Sequence, residues 1–457
     1  MFRDLKPYPE YVSLAGASLP TAPEGWSRRR IKTLLREVDR RSATGTERLL
    51  SLRAGQGLVD HIDAGGKTIA SATLIGYKVV RPGDLVMNRM RAASGVFGLA
   101  GSVGLVSPDY ALFRQLGSGD PDYLLALLRS VPVAAEMRRR SRGMGTGESG
   151  FLRLYTDAFG AMQIPWPTPE EQAAIVKYLG HAHARIDKAI AAKRKLIALL
   201  EEQKQTIINQ AVTRGLDPTV PLKDSGIPWV GEVPAHWTLS RIANEFDILD
   251  YQRVPLSAEV RGGMSSRIYD YYGASGVIDK VDDYLFDEPT ILIAEDGANL
   301  VSRNLPLAVR ANGRYWVNNH AHILRPRRGD IEFLSAYLEM IDFRPWITGA
   351  AQPKLTQDRL KSIAIAIPGA EEQQATIAAI ADRVSRGSRT VASATGEIGL
   401  LREFRIRLTS DVVSGQLDVR ERASALPNFV ERGRVDADSD ADETFDDLDE
   451  VLEEVDA

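Results

Sequence analysis

The sequence predicts a mixed α/β (α+β) chain organised as a tandem repeat, in which two globular modules are each followed by one long helix. Three observations carry this: a duplicated helix-start signature, an apolar seam running on from each copy, and short strand and helix patterns filling the rest. Ile-Pro-Trp-Pro-Thr-Pro-Glu-Glu-Gln runs from Ile164 to Gln172, and Ile-Ala-Ile-Pro-Gly-Ala-Glu-Glu-Gln from Ile365 to Gln373. They match without a gap at an offset of 201 residues, which persists to Asp217 and Asp418.

Thr168, Pro169, Glu170 and Glu171 form a capping-box pattern, with proline where a missing N–H costs nothing and carboxylates at the positive helix end. Apolar residues then recur at steps of three, four and seven: Ile175, Leu179, Ala182, Ile186, Ile190, Ile197, Leu200, Ile207 and Ala211. Such a seam suits helix-on-helix packing, and about 45 residues at ~1.5 Å each make a rod of roughly 65 to 70 Å. The second copy keeps the seam at Ile377, Ile380, Val384, Val391, Ile398, Leu401, Leu408 and Val412. Gly387, Gly396 and Gly399 weaken it by roughly 1 kcal/mol each against alanine, so this helix depends on a partner.

The repeat reaches beyond the helices. Leu5 to Ile31 matches Leu216 to Ile242, preserving Pro7/Pro218, Pro23/Pro234, Trp26/Trp237 and Ile31/Ile242. Gly119-Asp120 and the following helix pattern, from about Asp122 to Arg129, correspond to Gly329-Asp330 and a helix from about Ile331 to Met340. Strand patterns include Leu85-Val86-Met87, Val103 to Val106, Tyr284-Leu285-Phe286, Thr290 to Ala294, and one run from Tyr315 to Leu324. The resulting domains are residues 1–165 and 218–366, with spacer helices 166–217 and 367–418 and a tail 419–457. The modules differ most in their middles, as two similar readers of different targets would.

With 457 residues and 44% hydrophobic content the chain fills several packed cores. No apolar run reaches the ~20 residues needed to span a bilayer, no signal peptide opens the chain, and cysteine is absent. Disulfides, thiol nucleophiles and thiolate metal sites are excluded, and the composition fits the cytoplasm. A net charge of −4 conceals a split: twelve acidic residues and no basic ones lie between Val435 and Ala457, leaving the rest near +8. The tail reads as disordered and solubilising, or as a competitor of nucleic acid for the basic body.

Arginines gather beside glycine-rich and aromatic turns, as a surface tracking a nucleic-acid backbone requires, although any one such cluster also serves as a solvated face. The candidates in the first module are Arg28, Arg30, Asn88, Arg89, Arg91, Arg138, Arg139, Arg140 and Arg142. Those in the second are Gly273, Ser275, Arg303, Asn319, Gln352 and Lys354. Arginine forks bridge guanine edges or phosphates, and asparagine or glutamine pairs with adenine.

Gly143 to Gly147 follows an arginine run rather than a strand and reads as a contact loop, not a cofactor loop. Gly66-Lys67-Thr68 fails as a phosphate loop because His61 stands where its first glycine belongs. His320 and His322, two apart on the run from Tyr315, share a face and read as hydrogen-bonded structural residues with no acidic partner nearby for a metal. His181 and His183 read as surface residues of the long helix. No Asn-Pro-Pro-aromatic, Asp-Pro-Pro-Tyr, His-Glu-x-x-His or nucleophile-elbow motif is present, so the chain has no self-contained catalytic centre.

The run from Leu216-Asp217-Pro218 through Ser225-Gly226-Ile227-Pro228-Trp229 to Pro234-Ala235-His236-Trp237 resembles the opening of a target-recognition domain in type I restriction-modification specificity subunits. Asn318 to Leu324, Gln352-Pro353-Lys354-Leu355-Thr356 and both Glu-Glu-Gln helix starts resemble that family too, and the likeness covers residues 5–418. The first module lacks the Gly-Ile-Pro-Trp run and the Asn-Asn-His stretch. The resemblance implies a non-catalytic, DNA-binding subunit whose two domains each read half of a split double-stranded site. It also implies antiparallel helices, related by a pseudo-twofold, that set the gap and dock two methyltransferase subunits on the faces of 170–214 and 371–415. Restriction and translocase subunits join that assembly, and S-adenosylmethionine, Mg and ATP sit on the partners, none on this chain. The competing reading is a scaffold that merely holds two domains apart.

Overall fold

The structure, a computed structural model, describes residues 5–13, 19–144, 151–349 and 352–427. The glycine-rich loop from Gly145 and the acidic stretch from Val435 lie outside the described residues. Contacts divide the chain into two compact units, residues 1–193 with 395–457, and 194–394.

Each unit holds the same four-stranded antiparallel sheet. In the first unit Leu35–Val38, Ala111–Gln115, Asp84–Met87 and Phe97–Leu99 lie side by side in that order. Phe246–Ile248, Ala321–Pro326, Thr290–Ala294 and Ala308–Ala311 repeat it in the second. The central strands Asp84–Met87 and Thr290–Ala294 are buried along their whole length, which is why both read as apolar runs. A second sheet in the second unit contains a parallel pair, Tyr269–Gly273 with Arg314–Val317. Antiparallel sheets with helices set beside them make the modules α+β, a choice that composition had left open.

The long helices run Pro169–Arg214 and Ala370–Val413, 46 and 44 residues, each end three to five residues inside the expected spans 166–217 and 367–418. The second is continuous through its three glycines. In the first unit Lys193 meets Glu397 at 2.5 Å, Asp187 meets Arg405 at 2.7 Å, and His183 meets Thr409 at 2.9 Å. Numbers rising on one helix as they fall on the other mark an antiparallel pair. Ile175, Leu179 and Ala182 are buried in the same core as Leu408 and Val412, and Ile186 is buried too, so this part of the expected seam is the packed face. In the second unit Ala211 and Val212 share a core with Ile380.

The Glu-Glu-Gln signature welds helix to module. Glu171 accepts the Trp26 indole N–H at 3.0 Å and the Tyr8 hydroxyl at 2.7 Å. Gln172 donates to the Pro167 carbonyl and accepts from the backbone of Asp120, which caps the helix Pro121–Leu128. The second module repeats all but the tyrosine bond: Glu372 accepts from Trp237 at 3.0 Å and its other oxygen meets His236 at 2.8 Å, Gln373 donates to Pro368, and Asp330, cap of Ile331–Met340, donates to Gln373 at 2.8 Å. The expected capping box is thus half made. Thr168 accepts from the Glu171 N–H at 3.4 Å, but the Glu171 carboxylate turns to Trp26 and Tyr8 instead of back to the cap.

The far end of the other helix closes each module. Gly415, at φ 78°, ends the second long helix where an added Cβ would lie 2.5 Å from Pro23 and 3.0 Å from Trp26, so both conformation and space require glycine. Gly215 plays the same part at the end of the first helix, over Pro234 and Trp237.

Three expectations are corrected. The single strand from Tyr315 to Leu324 is two, Arg314–Val317 and Ala321–Pro326, broken by a turn at Asn318–His320 that takes His320 off the face of His322. His183 is no surface residue: burial between the helices, then the Arg405 charge, pushes its pKa down to about 3. Residues 419–427 are not tail-like either, because Val419 and Ala423 are buried around a short helix, Arg420–Ser424.

Removing the Glu171 carboxylate leaves a buried indole N–H unpaired, so Glu171→Ala costs the first module about 1 to 3 kcal/mol and Glu171→Gln less, read as a lowered transition in calorimetry. His183 is neutral when folded and binds a proton when unfolded, so stability falls as pH drops from about 6.5 toward 3, by ~1 kcal/mol per pH unit. His183→Gln should flatten that slope between pH 5 and 6.5, measured by denaturant unfolding of paired samples.

Candidate nucleic-acid interface

In the second module the candidate surface grows out of one end of the four-stranded sheet. The strand Phe246–Ile248 leads into a tight turn, Asp250–Gln252, and Thr290–Ala294 ends at Glu295. The Asn318–His320 turn leads into Ala321–Pro326 beside them.

A buried hydrogen-bonded pair fixes the turn. His322, 1% exposed, places Nδ1 at 2.6 Å from Asp250 Oδ2 and Nε2 at 2.8 Å from the Leu355 carbonyl. The ring thus bridges a carboxylate and a backbone carbonyl through its two nitrogens. Asp250 also accepts from the Ile323 N–H at 2.9 Å and from Gln357 at 3.1 Å. Burial raises the Asp250 pKa, and the bond and charge of His322, the Ile323 N–H and Arg253 more than reverse that.

Arg253 extends the network outward. It donates to Glu295 at 2.5 Å and to the Ala321 carbonyl at 2.9 Å, and Lys354 reaches the other Glu295 oxygen at 3.1 Å. Burial raises the Glu295 pKa, but the Arg253 and Lys354 bonds leave it below the usual carboxylate range. His320, half exposed, pairs with Asp296 at 2.9 Å.

Asp250, Glu295 and His322 present ligand-type atoms within 4.8 Å of one another. Their lone pairs are already committed to internal donors, and Arg253 and Lys354 stand beside them, so the cluster repels rather than invites a cation. The acidic partners that sequence spacing did not reveal are nonetheless there, brought in from 72 residues away for His322.

The structure gathers most of the second module's candidates at this end. Asn319 and Gln352 are exposed, Lys354 keeps half its side chain in solvent, and Gly273 lies against Asn318. Ser275 sits in the hairpin turn just beyond Gly273. Arg303 is elsewhere: with φ 50° it donates to the Ile341 carbonyl at 2.9 Å and to that of Glu339, closing the end of Ile331–Met340. Its guanidinium is turned into the protein. Arg310 and Arg314 pair with Glu332 and Asp287.

The first module places its middle cluster at the corresponding sheet end. Asn88 follows Asp84–Met87 and closes a turn through its Oδ1 to the Met90 N–H at 3.0 Å. Arg89 is held by Glu37 at 2.9 Å, while Arg91 is exposed. Arg139 and Arg140 both lie on Glu136, at 2.8 and 2.5 Å, with Arg138 half-buried and Arg142 exposed. Arg28 and Arg30 lie apart from the turn, exposed on Ser27–Arg30 where it pairs with Gln163–Trp166. Sequence reasoning missed Asp250, Arg253 and Glu295, whose partners lie far along the chain.

Residues 256–393 match the family described as Type I restriction modification DNA specificity domain. A Haemophilus influenzae protein provisionally named a type I restriction enzyme specificity subunit is 36% identical over 132 residues, covering 28% of this chain. That match spans about a third, 32%, of the relative's own length. A solved chain from a study of complex assembly and conformational transition of the type I R-M system superposes with a TM-score of 0.57 at 16% identity, covering 87% of this chain and 99% of that one. The HsdS subunit of Thermoanaerobacter tengcongensis aligns at a TM-score of 0.42 and 17% identity over 87% of this chain and 98% of its own, a likeness too distant to argue from. No helix among the described residues is long and apolar enough to cross a membrane. Residues 256–393 thus match the type I restriction modification DNA specificity domain, and the chain shares its fold with a solved chain from a study of the type I R-M system.

Proposed function

We propose that the chain is the non-catalytic specificity subunit of a type I restriction-modification complex, reading a split double-stranded DNA site with one half-site per module. The observation that carries this reading is the doubling itself. Two modules share a sheet, a Trp–Glu clamp and a long helix, yet differ in the residues at the open sheet ends. Shared framing with divergent ends is what a reader of two different half-sites requires, since phosphate contacts position each module and base-edge contacts specify.

The helices fix the gap between half-sites and dock two methyltransferase subunits. Their midsection supports this: around Leu200, Ile207, Val384 and Val391 the seam is only half-buried, and Leu196 and Leu199 are 41% and 53% exposed. Such apolar surface on a paired helix suits a partner. Methyl transfer and ATP-driven translocation, with S-adenosylmethionine, Mg and ATP, belong to the partner subunits in the cytoplasm.

Inserting seven residues into both long helices lengthens each by ~10 Å, about three base pairs of duplex. The expected outcome is a methylated motif with the same bases and a gap about three base pairs longer, read by mapping methylated adenines in cells expressing the variant with its methyltransferase. An unchanged gap in an active variant counts against the helices as rulers and favours a scaffold.

A further inference from the structure

Tyr251 is 79% exposed, more than any other large hydrophobic side chain among the described residues. It occupies the middle of the Asp250–Gln252 turn, whose two ends are unusually well fixed. Asp250 is held from the core by His322, Ile323 and Gln357. On the other side Arg253 donates to the Asp250 carbonyl at 3.0 Å and to Glu295 and Ala321. The hydroxyl of Tyr251 accepts from Gln252 Nε2 at 3.0 Å, and the adjacent Val254 carbonyl accepts from the Trp316 indole at 2.6 Å. A ring left in water on so rigid a mount loses little freedom when something covers it, which is the economy of a preorganised contact.

Its surroundings say what covers it. Arg253 bonds the carbonyls of Asn319 and Ala321, which ties the Tyr251 turn to the turn carrying the exposed Asn319, and Lys354 shares Glu295 with the same arginine. An exposed aromatic ring, a lysine and an exposed carboxamide on one arginine-linked cluster offer stacking or methyl contact, phosphate attraction and a base-edge donor and acceptor, the combination that nucleic-acid recognition uses. Resting on the DNA-reading function proposed above, we propose that Tyr251 is a specificity-determining residue of the second module, its ring packing on a base of that module's half-site. The contact assigned is that of the ring face, while the hydroxyl accepts from Gln252 Nε2.

The test uses the full chain assembled with its methyltransferase. Binding is measured to a duplex carrying the methylated motif mapped for the wild type, and to two duplexes with either half-site scrambled. Tyr251→Ala, a surface change, should lose roughly tenfold of its preference for the intact second half-site while keeping its preference for the first, and Tyr251→Phe should retain both. A Tyr251→Ala complex that discriminates the second half-site as the wild type does overturns the assignment. Equal loss at both half-sites also overturns it, since the effect would then be global. If the wild type itself distinguishes none of the duplexes, the DNA-reading function fails and this assignment falls with it.

Discussion

The fold depends on one hydrogen bond made twice: a carboxylate at the start of each long helix accepting a tryptophan indole N–H from the module that precedes it. Glu171 takes Trp26 and Glu372 takes Trp237, each at 3.0 Å. The carboxylate sits at the positive end of its helix and the indole is largely buried, so the bond joins a favourable dipole contact to the satisfaction of a donor with nowhere else to go. The glutamine that follows ties the same helix start to the capping aspartate of the module's own helix. Gly215 and Gly415 let the opposite helix end close on the same tryptophans. A nine-residue signature that reads as a helix start is therefore a three-way joint.

Much of this frame was legible because it is local or repeated. Thr168, Pro169 and the seam from Ile175 are short-range signals, and the offset of 201 residues exposed the second copy despite its three glycines. The structure adds what local patterns do not contain. Glu171 resembled a capping-box residue, and only a partner 145 residues away shows why its carboxylate turns elsewhere. The run from Tyr315 to Leu324 looked like one strand because Val317 and Ala321 are apolar on either side of a three-residue turn. His183 looked exposed because the residues that meet it, Thr409 and Arg405, come from the other helix.

The candidate contact residues divide along the same line. Arg303, Arg89, Arg139 and Arg140 were chosen for their charge, and the fold gives each an internal partner, backbone carbonyls in one case and Glu37 and Glu136 in the others. Asn319, Gln352 and Lys354, chosen from a short motif, do converge on one sheet end with Gly273. Tyr251 gave no signal in sequence, since a lone tyrosine in an irregular stretch is as readily buried as exposed. What distinguishes it is the buried Asp250–His322 pair beneath it, and that pair forms across 72 residues. A buried hydrogen-bonded pair is a poor source of stability but a good way to fix a turn in one geometry.

The most direct measurement is a map of methylated adenines in DNA from cells expressing this chain with its methyltransferase, set against cells expressing the methyltransferase alone. The account requires a split motif with a fixed gap that appears only when the chain is present. A soluble complex that yields no chain-dependent motif, or a motif with one continuous recognition sequence, would contradict it.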